Sequence, residues 1–309
     1  MSNKSKITIV SLLADNIYRV FGHCCRLAFS TLTRSQLSAD RQMSDINLLF
    51  LSGRKGARML KAVLYSIYYR WEKIPHVTII SDGTPKEVLL EAMKFWPFPF
   101  EVKSWEDCAA FHLEKGRQSI VDYARINVYA RKLLAVTAEA ESRPVLYSDT
   151  DILWFAEPRL PIASPEKACV MRMSSDDVHC YHMPTIRYLH RQDMMEKPPL
   201  NAGMIYLSGS VYEHYPGFAE LMEYTKIFDE GRSEQMTFAL LADRLGDTWS
   251  LDEIYLTQTD KYWPLLPNYL FSGKAFARHH VISKNSWFWR DILLIVLFKR
   301  KKHAPITAV

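Results

Sequence analysis

The chain has 309 residues, 48% of them hydrophobic and 24% charged, the balance of a folded globular protein and not of a disordered or fibrous one. Its net charge of +5 is too small to mark a nucleic-acid binder, and four positive charges are gathered in Lys299-Arg300-Lys301-Lys302. Five cysteines without a CxxC spacing give neither a disulfide framework nor a zinc site and fit a reducing compartment, while no run reaches the roughly 18 consecutive apolar residues that a membrane span requires.

Lysines followed by the apolar stretch Ile7 to Ala14 imitate a signal peptide, but Asp15 and Asn16 interrupt it and no small-residue cleavage site follows. Residues 7–37 read as a helix, and residues 1–44 as an N-terminal helical appendage. From Ile46 the pattern changes. Ile46 to Leu51 is a buried-strand run ended by Ser52-Gly53, and Arg58 to Arg70 is helical. Val77 to Ile80 is a second strand, stopped by Ser81-Asp82-Gly83-Thr84-Pro85, and a helix follows from Lys86 to Phe95. A helix over 119–136 leads into the short strand Pro144 to Tyr147. Residues 156–200 are proline-rich and loop-like, with one or two short elements. Gly203 to Leu207 is a strand and Phe218 to Phe228 a helix, and Ser233 is read as the N-cap of a helix over 234–245. Strands alternating with helices predict an α/β domain over 45–285 with a mixed, mainly parallel sheet covered on both faces, because a parallel connection needs a crossover of about a dozen residues.

Asp149-Thr150-Asp151 falls where the strand ending at Tyr147 runs out, and ligands of open α/β sheets bind at the carboxyl ends of strands. Two carboxylates one residue apart can both reach a divalent cation, which can bridge diphosphate oxygens. Apolar flanks, Val145 to Tyr147 before and Ile152 to Phe155 after, argue against simple solvation as the reason for these charges. At the first two strand exits, Ser52 with Gly53-Arg54-Lys55-Gly56, and Asp82, are candidates to border a nucleotide. The chain has no GxxxxGK[ST] loop, no GxGxxG and no HExxH, which removes the main support for P-loop kinases, dinucleotide dehydrogenases and zinc proteases.

The run Val145-Leu146-Tyr147-Ser148-Asp149-Thr150-Asp151-Ile152-Leu153-Trp154 resembles the Asp-x-Asp segment of nucleotide-sugar glycosyltransferases of the GT-A fold, closest to the retaining glycogenin-like and lipopolysaccharide galactosyltransferase-like group. Asp122-Tyr123-Ala124-Arg125 is similar to the helix that precedes the motif there, Asn201-Ala202-Gly203 to the family's Asn-Ser-Gly segment, and Ser233-Glu234-Gln235 to its Asp-Gln helix start. His279-His280 with Lys284 and Trp287 loosely resembles the closing segment, without its glycine and proline.

The resemblance implies a metal-dependent transferase of hexosyl type. It would move a sugar from a nucleoside-diphosphate donor, most commonly a uridine one, to a hydroxyl of a sugar, lipid-linked or protein acceptor. It further implies Mn2+ or Mg2+ held by Asp149, Asp151 and either His279 or His280. Arg125, Thr150, Asn201, Gly203 and Lys284 would lie along the donor, and Gln235 or Glu234 near the reacting sugar. Retention is implied by the group; an inverting enzyme would instead need a base such as Asp176, Asp177 or Glu234.

Residues 286–309 form an aromatic and basic tail. Trp287 to Phe298 followed by lysines suits an anionic bilayer surface, where each basic residue contributes about 1 kcal/mol, or else a buried terminal element with a solvated end. The expectation is a cytoplasmic protein in peripheral contact with the inner face of a membrane. A non-catalytic membrane-associated sugar-nucleotide-binding protein and a nucleotidyltransferase are the alternatives.

Overall fold

The computed structural model describes residues 9–161, 168–256, 275–281 and 285–298. In chain order these hold α1 (Ile9–Leu32), β1 (Met43–Ser52), α2 (Ala57–Arg70), β2 (Ile74–Ser81), α3 (Lys86–Ala92), β3 (Phe100–Ser104), α4 (Trp105–Glu114), α5 (Gln118–Ile126), α6 (Ala130–Ala140), β4 (Val145–Ser148) and β5 (Ile152–Trp154). There follow β6 (Val170–Ser175), α7 (Met183–Tyr188), a 3-10 turn (Gln192–Met195), β7 (Leu200–Ser208), α8 (Val211–His214), α9 (Phe218–Thr225), α10 (Gly231–Leu245), β8 (Gly246–Trp249), β9 (Ile254–Leu256), β10 (Ala277–His279) and α11 (Asn285–Leu297).

Seven strands form the main sheet in the order β3-β2-β1-β4-β7-β6-β8. β3, β2, β1 and β4 run parallel, β7 is antiparallel to both β4 and β6, and β8 is parallel to β6. Successive side chains of a strand point to opposite faces, and here both faces are apolar. Leu49, Ile80, Val145, Tyr147, Met171, Ile205 and Leu207 join the cluster covered by α4, α5, α6, α9 and α10. Leu48, Phe50, Val77, Ile79, Leu146, Val170 and Met204 join the other, covered by α1, α2, α3 and α11. The α/β reading with a mixed, mainly parallel sheet therefore holds.

A smaller sheet, β5-β10-β9, lies against this second cluster, with β10 antiparallel to β5 and parallel to β9. The aromatic run of α11 is largely internal: Phe288, Trp289, Ile292, Ile295 and Val296 are buried, whereas Lys299 to Lys302 lie outside the described residues. No helix among the described residues is long and apolar enough to cross a membrane.

Two local expectations are corrected. The helix expected over 119–136 is two helices, because the Asn127 side chain takes over the hydrogen bonding at the junction. Its Nδ2 donates to the carbonyls of Phe228 (3.2 Å) and Glu230 (3.0 Å), and its Oδ1 accepts from the Tyr129 amide (2.9 Å). Ser233 is not an N-cap. α10 starts at Gly231, and the Ser233 hydroxyl donates back to the Glu230 carbonyl at 2.6 Å. β3 and α4 are additional to the sequence reading, and within the loop-like stretch β6 is an interior strand of the main sheet.

Candidate active site

After β4 ends at Ser148 the chain turns through Asp149-Thr150-Asp151 directly into β5. The turn is fixed by backbone bonds from the Asp149 amide to the Gly203 carbonyl (2.8 Å) and from the Ile152 amide to the Asp149 carbonyl (3.3 Å). Pairing of β10 with β5 places His279 opposite Ile152, and the His280 amide donates to the Asp151 carbonyl at 3.0 Å. The strand register therefore carries the His279 ring to the two carboxylates. One ligand atom each from Asp149, Asp151 and His279 lies within 4.8 Å of the others. His279 Nε2 is 3.3 Å from Asp151 Oδ1 and 4.0 Å from Asp149 Oδ2.

Two carboxylate oxygens and an imidazole nitrogen form a donor set that suits a first-row divalent cation. At 3.3 Å, an unprotonated His279 Nε2 would turn its lone pair on those of Asp151 Oδ1, so either a proton on Nε2 or a cation belongs between them. Without a cation the proton is favoured. Burial opposes protonation of His279, but Asp151 and Asp149 outweigh it and hold its pKa above the ordinary value. Burial also pushes the Asp149 carboxyl up; Lys132 opposes this and Asp151 adds to it. The cluster gathers two carboxylates on a half-buried turn against a buried imidazole, a crowding of negative charge that a divalent cation relieves.

Gly203 is part of the fit. A Cβ there would lie 2.3 Å from His279 Cε1 and 2.9 Å from Asn201 Oδ1, so only glycine lets the imidazole rest against β7. Asn201 braces the same point: its Oδ1 accepts from the Gly203 amide (2.8 Å) and its Nδ2 donates to Asp176 Oδ2 (2.8 Å). At the neighbouring strand exits, a Cβ on Gly53 would meet Asp82 Oδ2 at 2.1 Å, and one on Gly56 would meet Ser52 Oγ at 2.8 Å and Thr150 Oγ1 at 3.6 Å. Ser52, Asp82 and Thr150 thus converge around one loop beside the carboxylates.

Among the described residues, the lysine that reaches this cluster is Lys132, which is not among the candidates read from the sequence. It is buried on α6, donates to the Ala202 carbonyl (3.0 Å), and stands 3.2 Å from Glu234 Oε1 and 3.9 Å from Asp149 Oδ1. Burial opposes its charge, but Asp149 and Glu234 outweigh that and raise its pKa. Burial likewise lifts the Glu234 carboxyl to about 7, with Lys132 pulling the other way. Tyr147, also unforeseen, donates its hydroxyl to Asp149 Oδ1 at 2.5 Å and lies under the Lys132 ammonium.

The other candidates are dispersed. Arg125 is exposed at the end of α5 and bridges to Asp122 at 2.9 Å, outside the cluster. Gln235 is half-buried with its Nε2 on the Leu200 carbonyl (2.9 Å). His280 turns to the opposite side of β10, its Nε2 3.6 Å from Asp291. Lys284 lies outside the described residues.

No family model and no curated protein matches the sequence. Solved structures do match the fold. The apo form of mouse xyloside xylosyltransferase 1 superposes with a TM-score of 0.51 at 12% identity, over 79% of this chain and 99% of that one. The apo bifunctional glycosyltransferase WbbM superposes with a TM-score of 0.51 at 14% identity, over 88% of this chain and 52% of that one, so this chain spans about half its length. The chain has the GT-A fold of these glycosyltransferases.

Proposed function

We propose that the protein is a metal-dependent glycosyltransferase that moves a hexosyl group from a nucleoside-diphosphate sugar, with a uridine donor the first to test, to an acceptor hydroxyl. The observation that carries this reading is the convergence of Asp149, Asp151 and His279 at the carboxyl end of β4, on a fold shared with glycosyltransferases. Asp149, Asp151 and His279 would hold Mn2+ or Mg2+, which supplies Lewis-acid stabilisation of the charge developing on the leaving diphosphate. Lys132 adds a fixed positive charge to the same locus and keeps the Asp149 carboxylate oriented. Tyr147 holds one oxygen of Asp149, which leaves the other directed toward His279 and Asp151. Ser52, Asp82 and Thr150 border the nucleotide, and Asn201 with Gly203 keeps the floor of the site narrow.

Two details bear on retention. Of the candidates for an inverting enzyme's base, Glu234 is engaged by Lys132 and Asp176 by Asn201, while Asp177 is exposed. Gln235 follows Glu234 at the start of α10; its Nε2 is held by the Leu200 carbonyl, and if its amide lies near the reacting sugar it cannot take up a proton as a base would. The acceptor is a sugar, lipid-linked or protein hydroxyl, with peripheral membrane contact through the C-terminal tail as a secondary feature.

A panel of nucleotide sugars incubated with the protein and Mn2+ tests the reading. Slow metal-dependent donor hydrolysis is expected, with a loss of about 100-fold or more in Asp149→Ala and Asp151→Ala. Absence of both donor binding and hydrolysis across the panel, or wild-type turnover in both variants, overturns it. NMR of the product anomer separately decides retention.

A further inference from the structure

Helix α1 has two apolar faces, and the body of the protein uses only one. Tyr18, Gly22, Cys25 and Phe29 turn inward. Tyr18 stacks on Trp287, Phe29 tilts against Trp289, and a Cβ on Gly22 would meet Ser286 Cα at 2.6 Å. On the outer face Ile17, Val20 and Leu27 are 60%, 65% and 54% exposed, and Cys24 is exposed and free. Their 3-4-3 spacing continues in the sequence to Val10 and Leu13 upstream and Thr31 downstream. A helix that keeps a repeat of seven over this length carries Val10, Ile17, Cys24 and Thr31 at the a positions and Leu13, Val20 and Leu27 at the d positions.

We propose that this stripe is the docking surface for a second copy of the chain, α1 against α1 in a parallel two-stranded coiled coil. The residue choice points to that occupant: Val10, Ile17 and Thr31 at a are β-branched, Leu13 and Leu27 at d are leucine, and only Cys24 and Val20 depart from the pattern that favours two parallel strands. The flanks agree. The e positions are Ala14, Phe21 and Ala28 and the g positions Asn16, His23 and Ser30, so no row of like charges opposes a twin. Arg19 and Arg26 sit at c, far round the helix, whereas a helix lying on anionic lipid carries its basic residues on a polar face that borders its apolar one. Of the residues packed on the body, Gly22 and Phe29 are at f, opposite the stripe, Tyr18 and Cys25 are at b, and only Phe21, at e, borders the seam. Residues 10–31 at 1.5 Å each give a seam about 33 Å long.

Sedimentation of the protein at high micromolar concentration is expected to give twice the monomer mass, and Val20→Glu and Leu27→Glu to return it to monomer with an unchanged circular dichroism spectrum and with a melting temperature that no longer rises with concentration. Parallel pairing sets Cys24 against its twin, so a short bis-maleimide should link two chains in the wild type and not in Cys24→Ser. A wild type that stays monomeric overturns the proposal, as does a dimer indifferent to both glutamates. Flotation with anionic phosphatidylglycerol vesicles that both glutamate variants abolish would assign the stripe to lipid and overturn it equally. None of these readouts depends on donor turnover.

Discussion

Two clusters of charge flank strand β10, one residue apart in sequence, and they are built to opposite ends. On one side Arg278 and His280 meet Asp291, a carboxylate with no solvent exposure. Arg278 Nη1 donates to one of its oxygens at 3.0 Å, and Arg290 donates to the other from Nε at 2.7 Å, with Nη2 2.6 Å away. On the other side His279 meets Asp149 and Asp151, whose side chains keep 33% and 30% of their surface exposed. The first cluster is closed, with each carboxylate oxygen engaged by a guanidinium. The second is open, its acceptor atoms directed at a common point. Burial and charge alone do not distinguish a site from a staple; the direction of the lone pairs does.

The largest effect that separates the two concerns stability. Asp291→Ala leaves two buried guanidiniums without their carboxylate and is expected to cost about 3–5 kcal/mol, read from the denaturation midpoint. Asp151→Asn is expected to leave the metal-free protein within about 1 kcal/mol of wild type, because it relieves the crowding of negative charge around Asp149, while removing Mn2+ binding. Equal destabilisation by the two substitutions would erase the distinction.

Gly203→Ala comes next. The added methyl enters the space of the His279 ring, so a cost of about 1–3 kcal/mol is expected from overpacking. Mn2+ affinity should fall about 10–100-fold as the ligand is displaced. Calorimetric titration checks the second part, and unchanged affinity would mean that His279 is not held there by β7.

A comparison of His279→Gln with His280→Gln bears on what could be read without the structure. The sequence locates the triplet, because a local pattern of apolar strand, acidic turn and apolar strand fixes it. It leaves the two histidines equivalent, since the choice depends on the register between β5 and β10, which are more than a hundred residues apart. The same limit explains Lys132. In an unbroken helix over 119–136, residues seven apart share a face, and Arg125 could stand in for Lys132. The break at Asn127 resets the phase and leaves Arg125 in solvent and Lys132 in the core. Its cause, two carbonyls in the segment before α10, is a tertiary contact that no local pattern announces. By contrast, the near-continuous apolar runs of β1, β2, β4 and β7 made the doubly covered sheet legible, since both faces are buried along each strand. Mn2+ affinity should drop at least about 10-fold in His279→Gln and stay unchanged in His280→Gln.

The smallest effect is also the most diagnostic, because the two histidines should respond to pH with opposite sign. Burial, with Arg278 beside it, holds the His280 pKa well below 6.5, so the unfolded chain takes up that proton first on acidification. Its contribution to stability is present above about pH 6.5 and is lost as the pH falls below that value. His279 is held above 6.5 by Asp151 and Asp149 despite its burial, so the folded state takes up the proton first. Its contribution is present below the unfolded value and is lost as the pH rises through the folded one. One proton sets a ceiling of about 1.4 kcal/mol per pH unit on either slope. Melts of the metal-free protein across about pH 5 to 8 should therefore show His280→Gln flattening the acid limb and His279→Gln flattening the alkaline one. Saturating Mn2+ should reverse only the second, because a coordinated imidazole must give up its proton and metal binding then strengthens as the pH rises. Parallel pH profiles for the two variants would place both rings in the same environment and remove the asymmetry on which the site rests.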